Sequence, residues 1–236
     1  MILSHCTLTF EHATLFDDFH FELKENQWTC LVGKSGVGKS SLLKIIAGLL
    51  QPKSITLSDN PSVSYLPQQD CLMPWLSVWE NSLLGYTLRR ETIRPALHQK
   101  ALSLLTAVGL ESFINKRPDI LSGGMRQRVA LVRTLLEDKP IILMDEPFAS
   151  LDMTTRLELH TITADLLRDK TILLVTHDPL DAIRLGDTVH LMNGSPAIIQ
   201  ESFFLHQTLD MLKPRNMQSL AVTQQYMQLL EKLCQL

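Results

Sequence analysis

The apolar run Trp28-Thr29-Cys30-Leu31-Val32 ends at a glycine-rich stretch, and beyond it Leu42, Leu43, Ile45, Ile46 and Leu49 recur at helical spacing. This order of buried strand, loop and amphipathic helix sets the pattern for much of the chain. A helix is predicted over about 124–137, then the buried strand Ile141-Ile142-Leu143-Met144, a helix over about 154–168, and the strand Ile172-Leu173-Leu174-Val175. Near the start, alternation around Leu8 to Phe10 and Phe19 to Leu23 predicts two further strands. Between 78 and 109, Leu83, Leu84, Leu97, Ala101, Leu104, Leu105 and Val108 have helical spacing, with Pro74, Pro95 and Pro118 as punctuation. From about Pro214, the positions Leu220, Val222, Tyr226, Leu229, Leu230 and Leu233 predict a last helix, packed on the body or offered to a partner. Strands alternating with helices imply a parallel sheet covered on both faces, with ligands at the carboxyl ends of its strands, where Gly33, Asp145 and His177 would arrive.

The glycine-rich stretch is Gly33-Lys34-Ser35-Gly36-Val37-Gly38-Lys39-Ser40, followed by Ser41, a complete G-x-x-x-x-G-K-S phosphate-binding loop in the strand-to-helix setting the motif requires. Its glycines let successive backbone N–H groups point at phosphate oxygens, and the helix start adds its positive dipole end. Lys39 can reach the terminal phosphates of a nucleotide and the Ser40 hydroxyl can ligate Mg²⁺. The strand at 141–144 ends abruptly in Asp145-Glu146-Pro147. A strand buried on both faces has no use for acids, so these carboxylates belong to the ligand crevice, Asp145 for Mg²⁺ and Glu146 to polarise an attacking water. On its own the pair would also read as a solvated turn. A third element, Leu121-Ser122-Gly123-Gly124-Met125-Arg126-Gln127-Arg128, places Ser122, Gly123 and Gly124 at a helix start, a second anion-binding arrangement in a chain that already has one. The same residues alone would read as an ordinary Ser-Gly-Gly cap.

At 236 residues, with 45% hydrophobic and 20% charged positions, the chain suits one globular domain with an attached lobe. A net charge of −3 offers no basic field for a nucleic-acid backbone, so no nucleic-acid partner is expected. The start Met1-Ile2-Leu3-Ser4-His5 lacks a leader pattern, and no apolar run approaches the roughly 20 residues that span a bilayer. Cys6, Cys30, Cys71 and Cys234 have no metal-ligand spacing and are expected to be buried thiols in a reducing compartment.

The three motifs, in this order, resemble the ATP-binding cassette (ABC) ATPase family over essentially the whole chain up to about Gly194. The resemblance implies an α/β P-loop NTPase of ABC type, a mainly parallel sheet core with an N-terminal antiparallel subdomain and an inserted helical lobe. It implies one domain, with the core at about 1–70 and 130–200, the lobe at about 71–129 and a helical tail at about 201–236. It also implies a homodimer on ATP binding, in which Ser122, Gly123 and Gly124 of one subunit close over the nucleotide on the other's phosphate loop. Phe10 resembles the residue that stacks on adenine, with Phe16 as the alternative. Gln68 of the Gln68-Gln69 doublet resembles the glutamine that touches Mg²⁺ and the attacking water. Ser150-Leu151-Asp152 resembles the loop crossing the dimer interface, and His177 the histidine that contacts the γ-phosphate.

Lys34 and Met125 depart from common family residues, as does Asn26, which stands where a turn glycine is frequent and where Asn tolerates left-handed geometry. The short segment 54–64 suggests a trimmed strand pair. Leu72-Met73-Pro74-Trp75-Leu76-Ser77-Val78-Trp79-Glu80-Asn81 resembles the importer ATPases of the nitrate, sulfonate, taurine and hydroxymethylpyrimidine class. Pro74 and Trp75 would then meet a permease, whereas a core stripe of Trp75 and Trp79 is the competing reading. The class implies a cytoplasmic ATP-hydrolysing subunit, peripheral on the inner face of the cell membrane, serving an integral-membrane permease and indirectly a solute-binding protein. A soluble ABC ATPase acting as a mechanical switch in DNA repair or translation is the alternative, and a partner with vestigial ATPase activity a third reading.

Overall fold

The computed structural model describes residues 1–10, 13–58, 62–149, 151–205, 209 and 212–235. Two sheets form its frame. Strands β1 (Ile2–Phe10), β2 (Ala13–Glu22) and β4 (Ser54–Leu57) make a three-stranded antiparallel sheet in the order β2-β1-β4. Strands β3 (Trp28–Val32), β5 (Val63–Leu66), β6 (Ile141–Asp145), β7 (Thr171–Thr176), β8 (Thr188–Asn193) and β9 (Ile198–Phe204) make a six-stranded sheet in the order β5-β6-β7-β3-β8-β9. All its pairings are parallel except β8–β9, so the sheet is mainly parallel, as expected. The segment 54–64 is not a trimmed strand pair: β4 joins the antiparallel sheet through β1, and β5 joins the other through β6.

The period-2 geometry of a strand sends the side chains of β3, β6 and β7, buried along their whole length and mostly apolar, to both faces of the sheet. Trp28, Cys30, Val32, Ile142, Met144, Ile172 and Leu174 face one side, against helices α5 (Gly123–Leu136), α6 (Met153–Leu166), α7 (Pro179–Leu185) and α8 (Leu220–Cys234). Leu31, Ile141, Leu143, Leu173 and Val175 face the other, against α1 (Lys39–Ile46) and the antiparallel sheet. Burying each such aliphatic side chain contributes about 1.5–3 kcal/mol, so both faces must be covered.

A third core joins Val78 of α2 (Val78–Ser82), Leu83 ahead of α3 (Leu84–Leu88), and Ala101 and Leu105 of α4 (Pro95–Ala107) to Val129, Val132 and Leu136. Pro95 opens α4 at its first position, where a missing N–H costs nothing. Helix α5 gives Ala130, Leu131 and Leu135 to the sheet and Val129, Val132 and Leu136 to this helical core, so it runs across residues 129 and 130 and binds both bodies.

The last helix starts at Leu220 rather than near Pro214, and β9 occupies the chain up to Phe204. Val222 and Leu229 bury against the body while Leu220 stays exposed. Asn26 has φ 53°, the left-handed geometry its side chain tolerates. The expectation of four buried thiols holds only for Cys6 and Cys30, since Cys71 and Cys234 are exposed. Burial pushes the Cys6 thiol up to about 11 and Cys30 higher still, which makes both unreactive.

Candidate functional site

Along the sheet order β5-β6-β7-β3, the four carboxyl ends deliver Gln68, Asp145 with Glu146, His177, and the loop starting at Gly33 to one edge. The β3–α1 loop is tightly fitted. A Cβ on Gly33 would collide with the Met192 carbonyl of β8, and Gly38, the residue before α1, has φ 110°. Gly38 also rests on Phe16, which is wholly buried, so Phe16 is core and cannot present its ring to a base. Phe10, at the exposed end of β1, is 51% accessible and free to do so.

Lys39 is buried, its Nζ donating to the carbonyls of Gly33 at 2.7 Å and Lys34 at 2.8 Å. Burial pulls its ammonium below the ordinary lysine range, against the opposing pull of Glu146 and Asp145. The loop's own carbonyls thus hold the cation over the cradle. Ser40 Oγ donates to Asp145 Oδ1 at 2.7 Å, which joins the phosphate loop to the end of β6.

Two side chains converge on the next residue, Glu146. Gln68 Nε2 donates to Glu146 Oε2 at 3.2 Å, and His177 Nδ1 lies 3.0 Å from the same oxygen. Glu146 itself has φ 47°, and its N–H donates to the Val175 carbonyl at 2.8 Å. A left-handed non-glycine residue costs about 1–2 kcal/mol, and here it turns the carboxylate from the strand line into the crevice. Among the described residues, Gln68 rather than Gln69 of the doublet hydrogen-bonds to Glu146.

Ser122 caps α5, its Oγ accepting from the Met125 N–H at 3.3 Å, and Asp152 caps α6 by accepting from the Thr155 N–H at 3.1 Å. Hydrogen bonds from Thr155 hold the Asp152 carboxyl below the usual range. Among the described residues, no hydrogen bond joins 122–124 to the loop at 33–41. Gly123 instead lines an open cleft of about 530 Å³ with Gln68, Asp70, Arg126, Glu146 and Leu151. Ser150 lies outside the described residues.

Sequence reading missed several supporting groups. Tyr65 donates its hydroxyl to Asp145 Oδ2 at 3.1 Å, and burial, with the Asp145 charge, pushes its phenol upward. Arg133 donates to the carbonyls of Asp70 at 2.6 Å and Cys71 at 3.0 Å, while Arg126 Nε donates to Asp70 Oδ2 at 3.0 Å. These fasten the segment after Gln68 to α5. Behind His177, the buried Asp181 accepts from Arg156, His160 and Thr176, each at 2.8 Å. Arg184 Nε donates to His160 Nδ1 at 3.2 Å, so His160 offers its Nε2–H to Asp181. Arg156 also pairs with Asp178 at 2.6 Å, which ties the residues flanking His177 to the helix that Asp152 caps.

Trp75 is 64% exposed in a turn ahead of α2, which removes it from any core stripe with Trp79. Buried Asn81 shapes that turn. Its Oδ1 accepts from the Met73 N–H at 2.7 Å, and its Nδ2 donates to the carbonyls of Met73, Leu76 and Ser77 at 3.0–3.1 Å.

The family model described as ABC transporter matches residues 16–149. An ABC transporter ATP-binding protein of Haemophilus influenzae is 39% identical over 80% of this chain and 80% of its own length. The chain belongs to the ABC transporter family. The cassette is 38% identical to an aliphatic sulfonates import ATP-binding protein of Rhodococcus jostii, over 87% of this chain and 81% of the relative. Among solved structures, it resembles a dimeric ATP-binding cassette in a post-hydrolysis state bound to ADP and Pi, with TM-score 0.75 and 28% identity over 87% of this chain and 99% of that one. It is thus an ATP-binding, ATP-hydrolysing cassette of ABC fold.

Proposed function

We propose that this cassette energises solute uptake through a separate membrane permease, hydrolysing ATP as a nucleotide-sandwiched homodimer. The convergence of Gln68 and His177 on Glu146, beside the Ser40–Asp145 pair, is the observation that carries the reading. ATP phosphates take the N–H groups of residues 33–41, and Lys39 exchanges the Gly33 and Lys34 carbonyls for phosphate oxygens. Phe10 stacks on the adenine. Glu146 accepts a proton from water as the water oxygen bonds to the γ-phosphorus and the bond to the β-phosphate oxygen breaks, releasing ADP and phosphate. Gln68 and His177 orient that water and the γ-phosphate.

Ser40 and Asp145 form a hard-oxygen pair fitted to Mg²⁺, with Gln68 the further oxygen donor. Mg²⁺, when bound, neutralises phosphate charge. The helix start at Ser122 of the partner subunit completes the site across the dimer, with Asp152 at the seam. A dimeric neighbour supports this arrangement.

In this reading the core is about 1–70 and 130–200, the lobe about 71–129 and the tail about 201–236. The lobe meets the permease through Pro74 and Trp75. No described helix is long and apolar enough to cross a membrane, which fits a cassette held peripherally at the cytoplasmic face by its permease. A solute-binding protein acts on it only indirectly, and the import role named for the Rhodococcus relative supports uptake as the direction. The soluble-switch alternative finds no support in these relatives.

The test is co-expression with a candidate multi-span permease and purification in detergent. A stable complex whose ATPase falls with Glu146→Gln supports the reading, and a cassette that hydrolyses ATP but joins no permease opposes it.

A further inference from the structure

On the antiparallel sheet, away from the nucleotide crevice, His5, Asp18 and His20 bring their ligand atoms within 4.8 Å of one another. All three side chains are exposed. Two backbone irregularities produce the arrangement. In β1 the inward residues Leu3 and Cys6 are three apart, so one extra residue is inserted, and His5 has φ 52°. In β2 the inward residues Phe16 and Phe19 are likewise three apart, and Asp18 has φ 49°. The pairing register shifts between Leu3 and Cys6 and again between Cys6 and Leu8. Facing bulges therefore turn His5 and Asp18 outward side by side, and His20 follows on the same outer face of β2.

The distances have a specific meaning. His20 Nε2 lies 3.5 Å from Asp18 Oδ1, and His5 Nδ1 lies 2.7 Å from the same oxygen. Two donors on one tetrahedral ion, each about 2.0–2.1 Å from it, stand roughly 3.3 Å apart. The His20–Asp18 spacing already meets that requirement. The His5–Asp18 spacing is a hydrogen bond in which a proton occupies the line a cation would share, and a slight opening converts it. The two rings sit edge to face at 4.9 Å, so neither blocks the other.

We propose that His5 Nδ1, Asp18 Oδ1 and His20 Nε2 form a surface site for a borderline first-row divalent cation, with Zn²⁺ the ion to which two imidazoles and one carboxylate are best matched. The nitrogen content disfavours Mg²⁺ and Ca²⁺, which take oxygen. Solvent exposure leaves the fourth position to water. The site links β1 to β2 at the bulges, upstream of Phe10 on the same strand, and is separate from the Mg²⁺–ATP chemistry of Ser40 and Asp145.

The experiment is calorimetric titration of Zn²⁺ into the chelator-treated, nucleotide-free full chain in excess Mg²⁺, with Co²⁺ absorption as a second readout. One equivalent is expected to bind more tightly than about 100 µM. His5→Ala, Asp18→Ala and His20→Ala should each weaken it at least tenfold without lowering the metal-free melting temperature. Zn²⁺ should raise that temperature in the wild type alone, because a ligand of the folded state stabilises it. Failure of the wild type to bind, or an isotherm unchanged by any one of the three substitutions, would overturn the proposal.

Discussion

His177 Nδ1 stands 3.0 Å from Glu146 Oε2, the oxygen to which Gln68 also donates. One carboxylate oxygen is thereby fixed by two loops that follow different strands. Glu146→Gln keeps the shape and loses the base, so ATP binding should persist while turnover falls about 10²-fold or more. Steady-state hydrolysis set beside binding of a fluorescent ATP analogue measures both. Turnover near the wild-type rate would refute the assignment of Glu146.

Lys39→Ala should show the opposite defect. Removing the buried ammonium leaves the Gly33 and Lys34 carbonyls facing the phosphates with no intervening charge. Nucleotide affinity should drop at least tenfold, and hydrolysis with it. Unchanged affinity in the same fluorescence titration would contradict the role given to Lys39.

Trp75→Ala separates the two surfaces of the helical lobe. The ring is exposed on a turn held by Asn81, so its loss should change the stability of the isolated cassette by no more than about 0.5 kcal/mol. Capture by the permease should weaken by about 2 kcal/mol or more. Thermal melts of the subunit and co-purification with the permease check the two halves, and a large thermal loss would remove the docking role.

His190 supplies a pH dependence of stability. Its Nδ1 is 2.7 Å from Ser202 Oγ, and burial, with the Lys24 charge, lowers its pKa to about 4 from an ordinary 6.5. The folded imidazole therefore resists protonation while the unfolded one accepts it. This contribution is fully present above 6.5 and is lost as pH falls from 6.5 towards 4. Its size is on the order of 3 kcal/mol. Urea midpoints at neutral pH and near pH 4.5 should converge more for His190→Phe than for the wild type, and equal slopes would contradict it.

The strand-loop-helix order was legible because β3, β6 and β7 bury mostly apolar side chains on both faces and end in Val32, Asp145 and Thr176. Local chemistry also marked the helix starts at Lys39 and Ser122. Long-range pairing left no such trace. Ser54–Leu57 and Val63–Leu66 read as one strand pair because neighbouring short strands usually pair, yet each found its partner in a different sheet. Tyr65, Arg133 and Asp181 act on residues 80, 63 and five positions away, and only the Asp181–Thr176 contact is local. Exposed Cys71 follows from its place on the loop beside the open cleft, which composition could not reveal.

The composite site is the central claim, and ATP-dependent dimerisation of Glu146→Gln tests it most directly. With Mg²⁺ and ATP the variant should elute as a dimer on size-exclusion chromatography, because ligand binding stabilises closure and no hydrolysis reverses it. Adding Ser122→Arg should return it to the monomer position by filling the space over the partner's nucleotide. A Glu146→Gln protein that binds ATP yet stays monomeric, or a double variant that still dimerises, would contradict the account.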